Sequence, residues 1–186
     1  MPLVDRLGPL TKLLPLPKLD GGRNLIRQAW DLLSVVPGGK MLFSRMVGRM
    51  APYTGSIHPY VSVLRSGYCE VQMHDRRNVR NHLDCIHAVA LANLAEVAGN
   101  LALAYSLPDD ARFIVSGMDI EYVKKARGTI TGIGESPVPR TSVRAQFDVP
   151  VTLRDAKGDE VARAVLHSLV GPKPGRADGG ARTDVN

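Results

Sequence analysis

A long apolar segment from Asp84 to Tyr105 constrains the fold of this chain more than any other feature. Alanine and leucine dominate the segment, and the pattern predicts a helix that only Asn93, Glu96 and Asn100 interrupt. A helix that is apolar almost all round is typically buried on every side. A carboxylate in the middle of such a helix is expensive to bury, and carboxylates kept in that position are often functional. Glu96 is therefore predicted to be buried and is the first candidate for a functional residue.

Length and composition predict one cytoplasmic domain. The 186 residues, 44% of them hydrophobic, suffice for one domain with a real core. Two cysteines make no disulfide framework, which fits a reducing cytoplasm. Prolines interrupt the N-terminal leucines, so no signal peptide is expected. The polar residues of the apolar helix lie centrally and leave a run far shorter than about 20 residues, so no membrane span is expected.

The positive charge points to an anionic partner. The formal net charge is +6 and the sequence pI is near 9.6. The basic residues are nevertheless scattered, and aromatic residues make up only 5% of the chain, too few for a platform that stacks bases. We therefore expect no nucleic-acid partner, whereas a small phosphorylated ligand or an anionic carrier protein would suit this charge.

The rest of the chain divides into helical and strand-like segments. Residues 1–20 are rich in Pro and Leu and are predicted to be irregular or a short amphipathic segment. Apolar spacing predicts helices over residues 23–35 and 40–50. Period-two patterns predict strands, which are expected at residues 60–64, 68–73, 112–123, 127–135, 141–153 and 159–170.

These elements predict an α+β fold in which a curved antiparallel sheet wraps one long central helix. Residues 1–56 would form a two-helix N-terminal extension and residues 57–170 the main domain. The last residues, 171–186, are rich in Gly, Pro and charged side chains and are predicted to be a disordered tail.

The segment that leads into the long helix carries a familiar pattern. Asn81 is followed by His87 six residues later and by Glu96 nine residues after that. Over roughly residues 57–170 the chain resembles the hotdog-fold thioesterase superfamily. Within that superfamily it resembles the phenylacetic-acid-type acyl-CoA thioesterases and a hotdog branch grouped as a domain of unknown function. The resemblance departs at two places: Asp84 stands where the family usually has Gly, and Ala88-Val89 replace two glycines, which narrows the approach to the backbone.

The resemblance implies hydrolysis of an acyl-CoA thioester, with coenzyme A as part of the substrate and no separate cofactor. Glu96 would act as general base or nucleophile, Asn81 would orient water or hold the thioester, and His87 would complete the catalytic set. The backbone N–H groups near His87 and Ala88, at the helix N-terminus, would polarise the carbonyl oxygen. The family tends to place phosphate contacts in loops such as the one holding Lys124, Lys125 and Arg127.

The spacing of His87 and Glu96 constrains the assembly. Nine residues of helix correspond to a rise of about 13 Å and about half a turn, so the two side chains point to opposite sides of one helix. A site that uses both residues must take them from different chains. Two antiparallel central helices in a two-fold dimer do this twice, so we expect a homodimer or homotetramer.

Simpler interpretations stay open for each candidate residue. Glu96 would also suit a structural carboxylate that Asn93 or Asn100 caps in a solvent-facing groove. Asn81 would also suit a turn cap, Asp84 a helix N-cap, and His87 a core or helix-start histidine. His82, Cys85 and His87 are crowded together, but their spacing matches no zinc pattern and a fourth ligand is not evident, so no metal is expected. At the level of function, a non-catalytic acyl-CoA or acyl-carrier binding protein and a 3-hydroxyacyl thioester dehydratase remain alternatives.

Overall fold

The computed structural model describes residues 22–174, which form helices and strands in the order that the sequence predicts. In chain order the elements are α1 (Leu25–Leu33), α2 (Gly39–Met50), α3 (Pro52–Gly55), β1 (Tyr60–Arg65), β2 (Tyr68–Met73), α4 (Ala88–Ser106), β3 (Ala111–Tyr122), β4 (Ile130–Glu135), β5 (Ala145–Arg154) and β6 (Glu160–Pro172). The segment predicted for residues 1–20 and the end of the predicted tail, residues 175–186, lie outside this range.

The six strands form one antiparallel sheet in the order β1-β2-β4-β5-β6-β3, and α4 packs along one of its faces. Alternating residues of the central strands point at the helix. Those of β5 are Val149, Val151 and Leu153, which are buried. Leu94, Ala98 and Ala102 of α4 are completely buried against this surface. The predicted α+β architecture, a long helix wrapped by a curved antiparallel sheet, is confirmed.

The N-terminal helices cover one end and one edge of this layer. The Asn24 side chain accepts a hydrogen bond from Arg27 N and so caps α1. Its amide nitrogen donates to the carbonyls of Ala104 and Leu107, at the C-terminal end of α4, whose last carbonyls lack helical partners. Helix α2 packs beside β1. The two predicted helices of the extension are present, and the sequence patterns missed only the single turn α3.

Several element boundaries differ from the predictions. The central helix begins at Ala88 rather than at Asp84, because residues 81–87 form a loop in which Ile86 N donates to the Ala126 carbonyl and His87 N donates to the Val79 carbonyl. A short 3-10 helix, Arg77–Val79, was not predicted in the loop that follows β2. Residues 171–172, predicted to belong to the disordered tail, instead end β6, and Lys173 N donates to the Asp110 carbonyl.

One side of the assembly stays open. Strand β3 is an edge strand, and within residues 22–174 it pairs only with β6. Beside it, α4 presents a stripe along one face, in which Val89 and Glu96 are exposed and Asn100 is partly exposed. The Asn100 Oδ1 atom is buried and has no hydrogen-bond partner among the described residues. An unpaired strand edge beside an unsatisfied acceptor is typical of a surface that another chain covers.

Helix α4 is also long and apolar enough to cross a membrane, judged by length and composition alone. Most of it is packed against the sheet, and the core helix of a globular domain passes the same test.

Both cysteines are free and buried, and burial raises the pKa of the Cys69 thiol, which keeps it protonated.

Candidate functional site

The loop that leads into α4 is folded tightly around Asn81. The Asn81 Oδ1 atom accepts hydrogen bonds from Leu83 N at 2.9 Å and from Cys85 Sγ at 3.4 Å. Asn81 N donates to the Cys85 carbonyl at 2.9 Å, which closes the loop. The side chain therefore caps a turn, as an Asx turn does. Only its amide nitrogen has no partner in the described part of the chain, so that group is the one left to meet a ligand.

Asp84 occupies the most constrained backbone position of this loop. Its φ is +52°, in the left-handed region that favours glycine and that Asn and Asp tolerate best among other residues. Its carboxylate accepts a hydrogen bond from Arg80 Nη1 at 2.8 Å. The family resemblance implied glycine at this position, and glycine would adopt this backbone conformation without strain. The prediction that Asp84 is the helix N-cap is wrong.

His87 is the N-cap instead. Its Nδ1 accepts a hydrogen bond from Val89 N at 3.1 Å. An Nδ1 atom that accepts carries no proton, so the ring N–H is on Nε2. The imidazole is exposed at the open side of the molecule. The same residue thus starts the helix and presents a hydrogen-bond donor at its positive end.

The backbone N–H groups at this helix start are not equivalent. His87 N donates to the Val79 carbonyl at 2.8 Å, so this N–H is occupied, contrary to the expectation that it would polarise a substrate. Ala88 N has no acceptor among residues 22–174 and lies in the first turn of the helix, where backbone donors lack helical partners. Ala88 N–H is therefore the donor best placed to hold an oxyanion.

Tyr122, at the end of β3, contacts the start of α4, and no sequence pattern indicated a role for it. Its hydroxyl donates to the Ala88 carbonyl at 3.1 Å. Burial raises the pKa of Tyr122, so the hydroxyl keeps the proton that it donates. This contact ties the start of α4 to the open edge strand. Only the tertiary structure could reveal it, because 34 residues separate the two partners.

The basic turn of residues 124–127 packs directly against this loop. Ile86 N donates to the Ala126 carbonyl at 2.9 Å, and Arg127 Nε donates to the Asp84 carbonyl at 3.3 Å. Lys124, however, bonds Asp159 at 2.7 Å and Asp155 at 2.9 Å, and these contacts raise its pKa. Its charge is already compensated within the β5–β6 hairpin. The side chains of Lys125 and Arg127 form no ion pair with another described residue and are the more available cations.

Asp75 joins the two loops and was also missed by sequence reasoning. One of its oxygens accepts from Arg80 Nε at 2.6 Å, and the other accepts from Gly128 N at 2.9 Å. The Arg80 hydrogen bond, followed by that from Gly128, holds the pKa of the Asp75 carboxyl below its ordinary value. Asp75 therefore fixes the basic turn beside the loop that contains Asn81.

Glu96 lies in the middle of the open stripe of α4 and is exposed in the single chain. The prediction that it would be buried within its own subunit is wrong, because the sheet covers only one side of the helix. Asn93 and Asn100 do not cap it: Asn93 Nδ2 donates to the Tyr53 carbonyl at 3.0 Å, and no hydrogen bond joins Glu96 to either amide. Within one subunit the structure does not bring Glu96 and His87 together, since they lie at opposite ends of about 13 Å of helix.

A small groove of about 200 Å³ opens beside the helix start, which we call the arm groove. His87, Val89 and Asn93 line one wall, and Ser56 and Arg80 lie across from them. Asn93 is only 4% exposed, and its Oδ1 is buried without a hydrogen-bond partner in the described structure. The groove therefore contains one acceptor that a bound amide or hydroxyl could satisfy. Val89, where the family resemblance implied a glycine, is half exposed and lines this groove.

The crowded His82, Cys85 and His87 do not face a common point: Cys85 is buried, whereas both histidines are exposed. No group of three or more His, Cys, Asp or Glu side chains placed to share a metal ion occurs between residues 22 and 174.

The fold is shared with solved thioesterase-like proteins. A genomics target of known crystal structure is 34% identical, with a TM-score of 0.68, and the match covers 80% of this chain and 99% of that one. A protein from Pseudomonas aeruginosa described as a probable thioesterase is 20% identical over 74% of this chain and 97% of its own, with a TM-score of 0.64. A Haemophilus influenzae thioesterase is 12% identical over 72% and 93% of the two chains, with a TM-score of 0.61. No curated protein matches the chain.

A long helix on a curved antiparallel sheet is the hotdog fold, which these solved structures share. The predicted fold is thereby confirmed. Residues 39–170 match the sequence profile of the domain of unknown function DUF4442, and the chain belongs to that family. The match begins at α2, so the family domain includes part of the segment that the sequence patterns assigned to an extension.

Proposed function

We propose that this protein hydrolyses an acyl-CoA thioester at two equivalent sites between the subunits of a homodimer. The observation that carries the proposal is the start of α4, where the Ala88 N–H has no acceptor in the described structure and the His87 Nε2–H is exposed beside it. Two donors at the positive end of a helix suit the oxyanion of a tetrahedral intermediate. The thioesterase-like fold agrees with this chemistry.

The reaction then needs one base. Glu96 of the partner subunit takes a proton from water, whose oxygen attacks the thioester carbonyl carbon. The negative charge that develops on the carbonyl oxygen is held by Ala88 N–H and His87 Nε2–H. When the carbon–sulfur bond breaks, the protonated Glu96 returns its proton to the departing thiolate. Water thus supplies OH to the acid and H to the thiol, and no cofactor is required.

The remaining candidates take supporting roles in this proposal. Asn81 Nδ2 contacts the thioester or the attacking water, while its Oδ1 holds the loop. Lys125 and Arg127 attract the phosphates of the coenzyme, with Lys124 contributing less because two aspartates already bind it. The two free cysteines are consistent with a cytoplasmic protein.

A hydrolysis screen tests the function itself. Purified protein is incubated with short, long and aromatic acyl-CoAs, and the released thiol is measured with a colorimetric reagent. We expect turnover well above the uncatalysed rate for at least one class. The half-exposed Val89 favours one alternative, a protein that binds the thioester without cleaving it. If the protein bound members of the panel but cleaved none of them, that alternative would be the function. Formation of an enoyl product from a 3-hydroxyacyl thioester would instead identify a dehydratase.

We also predict that the protein is an obligate dimer. The open edge of β3, the exposed stripe of α4 and the unpartnered Asn100 Oδ1 lie on one side of the chain and would be covered together. Light scattering at micromolar concentration should give twice the mass of the chain, and dilution should lower the thermal stability. A stable monomer at that concentration would contradict the dimer and, with it, the shared site.

Two substitutions on β3 provide a matched control. Ile120 is partly buried on the face that adjoins α4, whereas Ile114 is exposed on the same strand and is not part of the core. We expect Ile120→Glu to lower both the mass measured by light scattering and the thermal stability, because it places a charge where the partner subunit is expected to pack. Ile114→Glu should leave the mass unchanged. If Ile114→Glu alone dissociates the dimer, the interface lies on the other face of the sheet.

A further inference from the structure

A basic concavity lies outside the site described above. A groove of about 640 Å³ lies between α2, the segment before β1 and the end of β2, and we call it the α2 groove. Arg45 and Arg49 line it from α2, and Arg76 lines it from the loop after β2. His58, Tyr60 and His74 supply ring surfaces, and no Asp or Glu belongs to the lining. The volume is within the range of small-molecule sites, about 300–1,000 Å³.

The charges in this groove are not compensated, unlike those of the turn at residues 124–127. Within the described residues, Arg45 and Arg49 form no ion pair, and one turn of helix places them on the same side of α2. Arg76 makes only a weak contact, from Nη2 to the Ser56 carbonyl at 3.4 Å. Uncompensated guanidinium groups without acidic neighbours are suited to phosphate, which they bind through two parallel hydrogen bonds.

Two sets of contacts connect the α2 groove with the start of α4. On one side the loop of residues 53–58 separates it from the arm groove, with Gly55 and His58 lining the first and Ser56 lining the second. On the other side His74 Nδ1 lies 3.0 Å from Thr129 Oγ1, and Asp75 binds Gly128 N, next to Arg127. The α2 groove and the loop that leads into α4 therefore lie on neighbouring parts of the surface.

We propose that the α2 groove binds the phosphorylated adenosine end of coenzyme A, while the arm groove receives the pantetheine. The guanidinium groups of Arg45, Arg49 and Arg76 bind phosphate, and the rings of Tyr60 and His58 pack against adenine. Asn93 Oδ1, the unpartnered acceptor of the arm groove, accepts a hydrogen bond from a pantetheine amide. This assignment rests on the proposed function for its ligand, but it does not depend on whether the protein cleaves the thioester.

Binding measurements test the assignment separately from hydrolysis. In calorimetry with coenzyme A, the double variant Arg45→Gln/Arg49→Gln should bind about tenfold or more weakly than the unmodified protein, and its affinity should depend less on salt. Adenosine 3′,5′-bisphosphate should show the same loss, and pantetheine should show none. The matched control is Arg112→Gln/Arg144→Gln, which removes two guanidinium groups from a separate concavity beside β3 and β6. It should bind coenzyme A as the unmodified protein does.

Several results would overturn the assignment. If both double variants lost the same affinity for coenzyme A, the loss would reflect net charge rather than binding in the α2 groove. If the α2 variant kept its affinity for coenzyme A, the groove would not be part of the binding site. Inorganic phosphate that competes as well as coenzyme A would show a phosphate site without nucleotide recognition.

If the protein hydrolyses acyl-CoA, the α2 variant should raise KM and leave kcat unchanged, and acyl-pantetheine should be cleaved equally by both forms. If it hydrolyses no thioester, the calorimetry alone decides, so failure of the proposed reaction and failure of the groove remain distinct.

Discussion

Replacing Glu96 by glutamine should lower the rate of thioester hydrolysis by about a hundredfold or more, the usual scale for the loss of a general base. Glutamine keeps the size of the side chain and most of its hydrogen bonding, but it cannot accept the proton from water. Steady-state kinetics on the best substrate of the screen measures the effect. Because glutamine is a polar isostere of glutamate, the variant should still fold and dimerise, with unchanged circular dichroism and mass.

The control for this variant is Glu135→Gln, which makes the same chemical change at another exposed glutamate, at the end of β4. It should retain full activity. If Glu96→Gln also retained full activity while folding normally, Glu96 would not be the base. A loss of stability with turnover unchanged would instead support the structural carboxylate that the sequence left open.

Mixing subunits sharpens the result further. His87→Ala and Glu96→Gln should each be nearly inactive as pure dimers. When the two are coexpressed, half of the molecules are mixed dimers, and each of these has one site with both native residues. Activity should therefore recover to about one quarter of the unmodified level. No recovery would contradict a site shared between subunits, since two residues of the same chain cannot complement each other across variants.

Gly134→Ala should produce a large loss of stability. A Cβ atom at Gly134 would lie 2.5 Å from the Ala98 carbonyl oxygen and 2.9 Å from Gly99 N, so it would meet the backbone of α4 rather than a flexible side chain. Helix and strand would have to separate along their closest contact. Overpacking of this kind costs about 3 kcal/mol or more, which corresponds to a drop in Tm of roughly 6–12 °C for a domain of this size.

The neighbouring glycine of the same strand supplies the control. At Gly132 the nearest atoms would be side-chain carbons of Leu153, Leu94 and Ala98, at 3.1 to 3.3 Å, which can move by a few tenths of an ångström. Gly132→Ala should therefore cost about 1 kcal/mol or less. Urea denaturation of both variants at one protein concentration makes the comparison. Equal stability of the two would show that α4 is not seated as closely on β4 as the structure indicates.

The amino-acid sequence alone determined the type and order of most elements. The period-two runs located all six strands, and the apolar spacing located α1, α2 and the long central helix. These signals are local, because side-chain burial repeats with the period of the element itself. The segment from Asn81 to Glu96 indicated the superfamily, because the loop and helix that carry Asn81, His87 and Glu96 are contiguous in the chain.

The structure alone decided where the central helix begins and which groups it presents. The sequence favoured Asp84 as the cap, a choice that residue type supports. The positive φ of Asp84 and the hydrogen bond from Ile86 N to the Ala126 carbonyl keep this segment out of the helix, and His87 caps it instead. Backbone contacts between distant loops leave no pattern in residue spacing, so this boundary was not predictable.

The exposure of Glu96 is the clearest example of a feature that the sequence could not predict. An apolar helix indicates that it must be covered, but its sequence does not say which side its own sheet covers and which side another chain would cover. The strand order places β3 at an open edge beside the stripe that contains Glu96, and that order depends on pairing between residues far apart in the chain. Tyr122, Asp75 and the basic α2 groove share this origin: each acquires its role from partners that only the folded chain brings near.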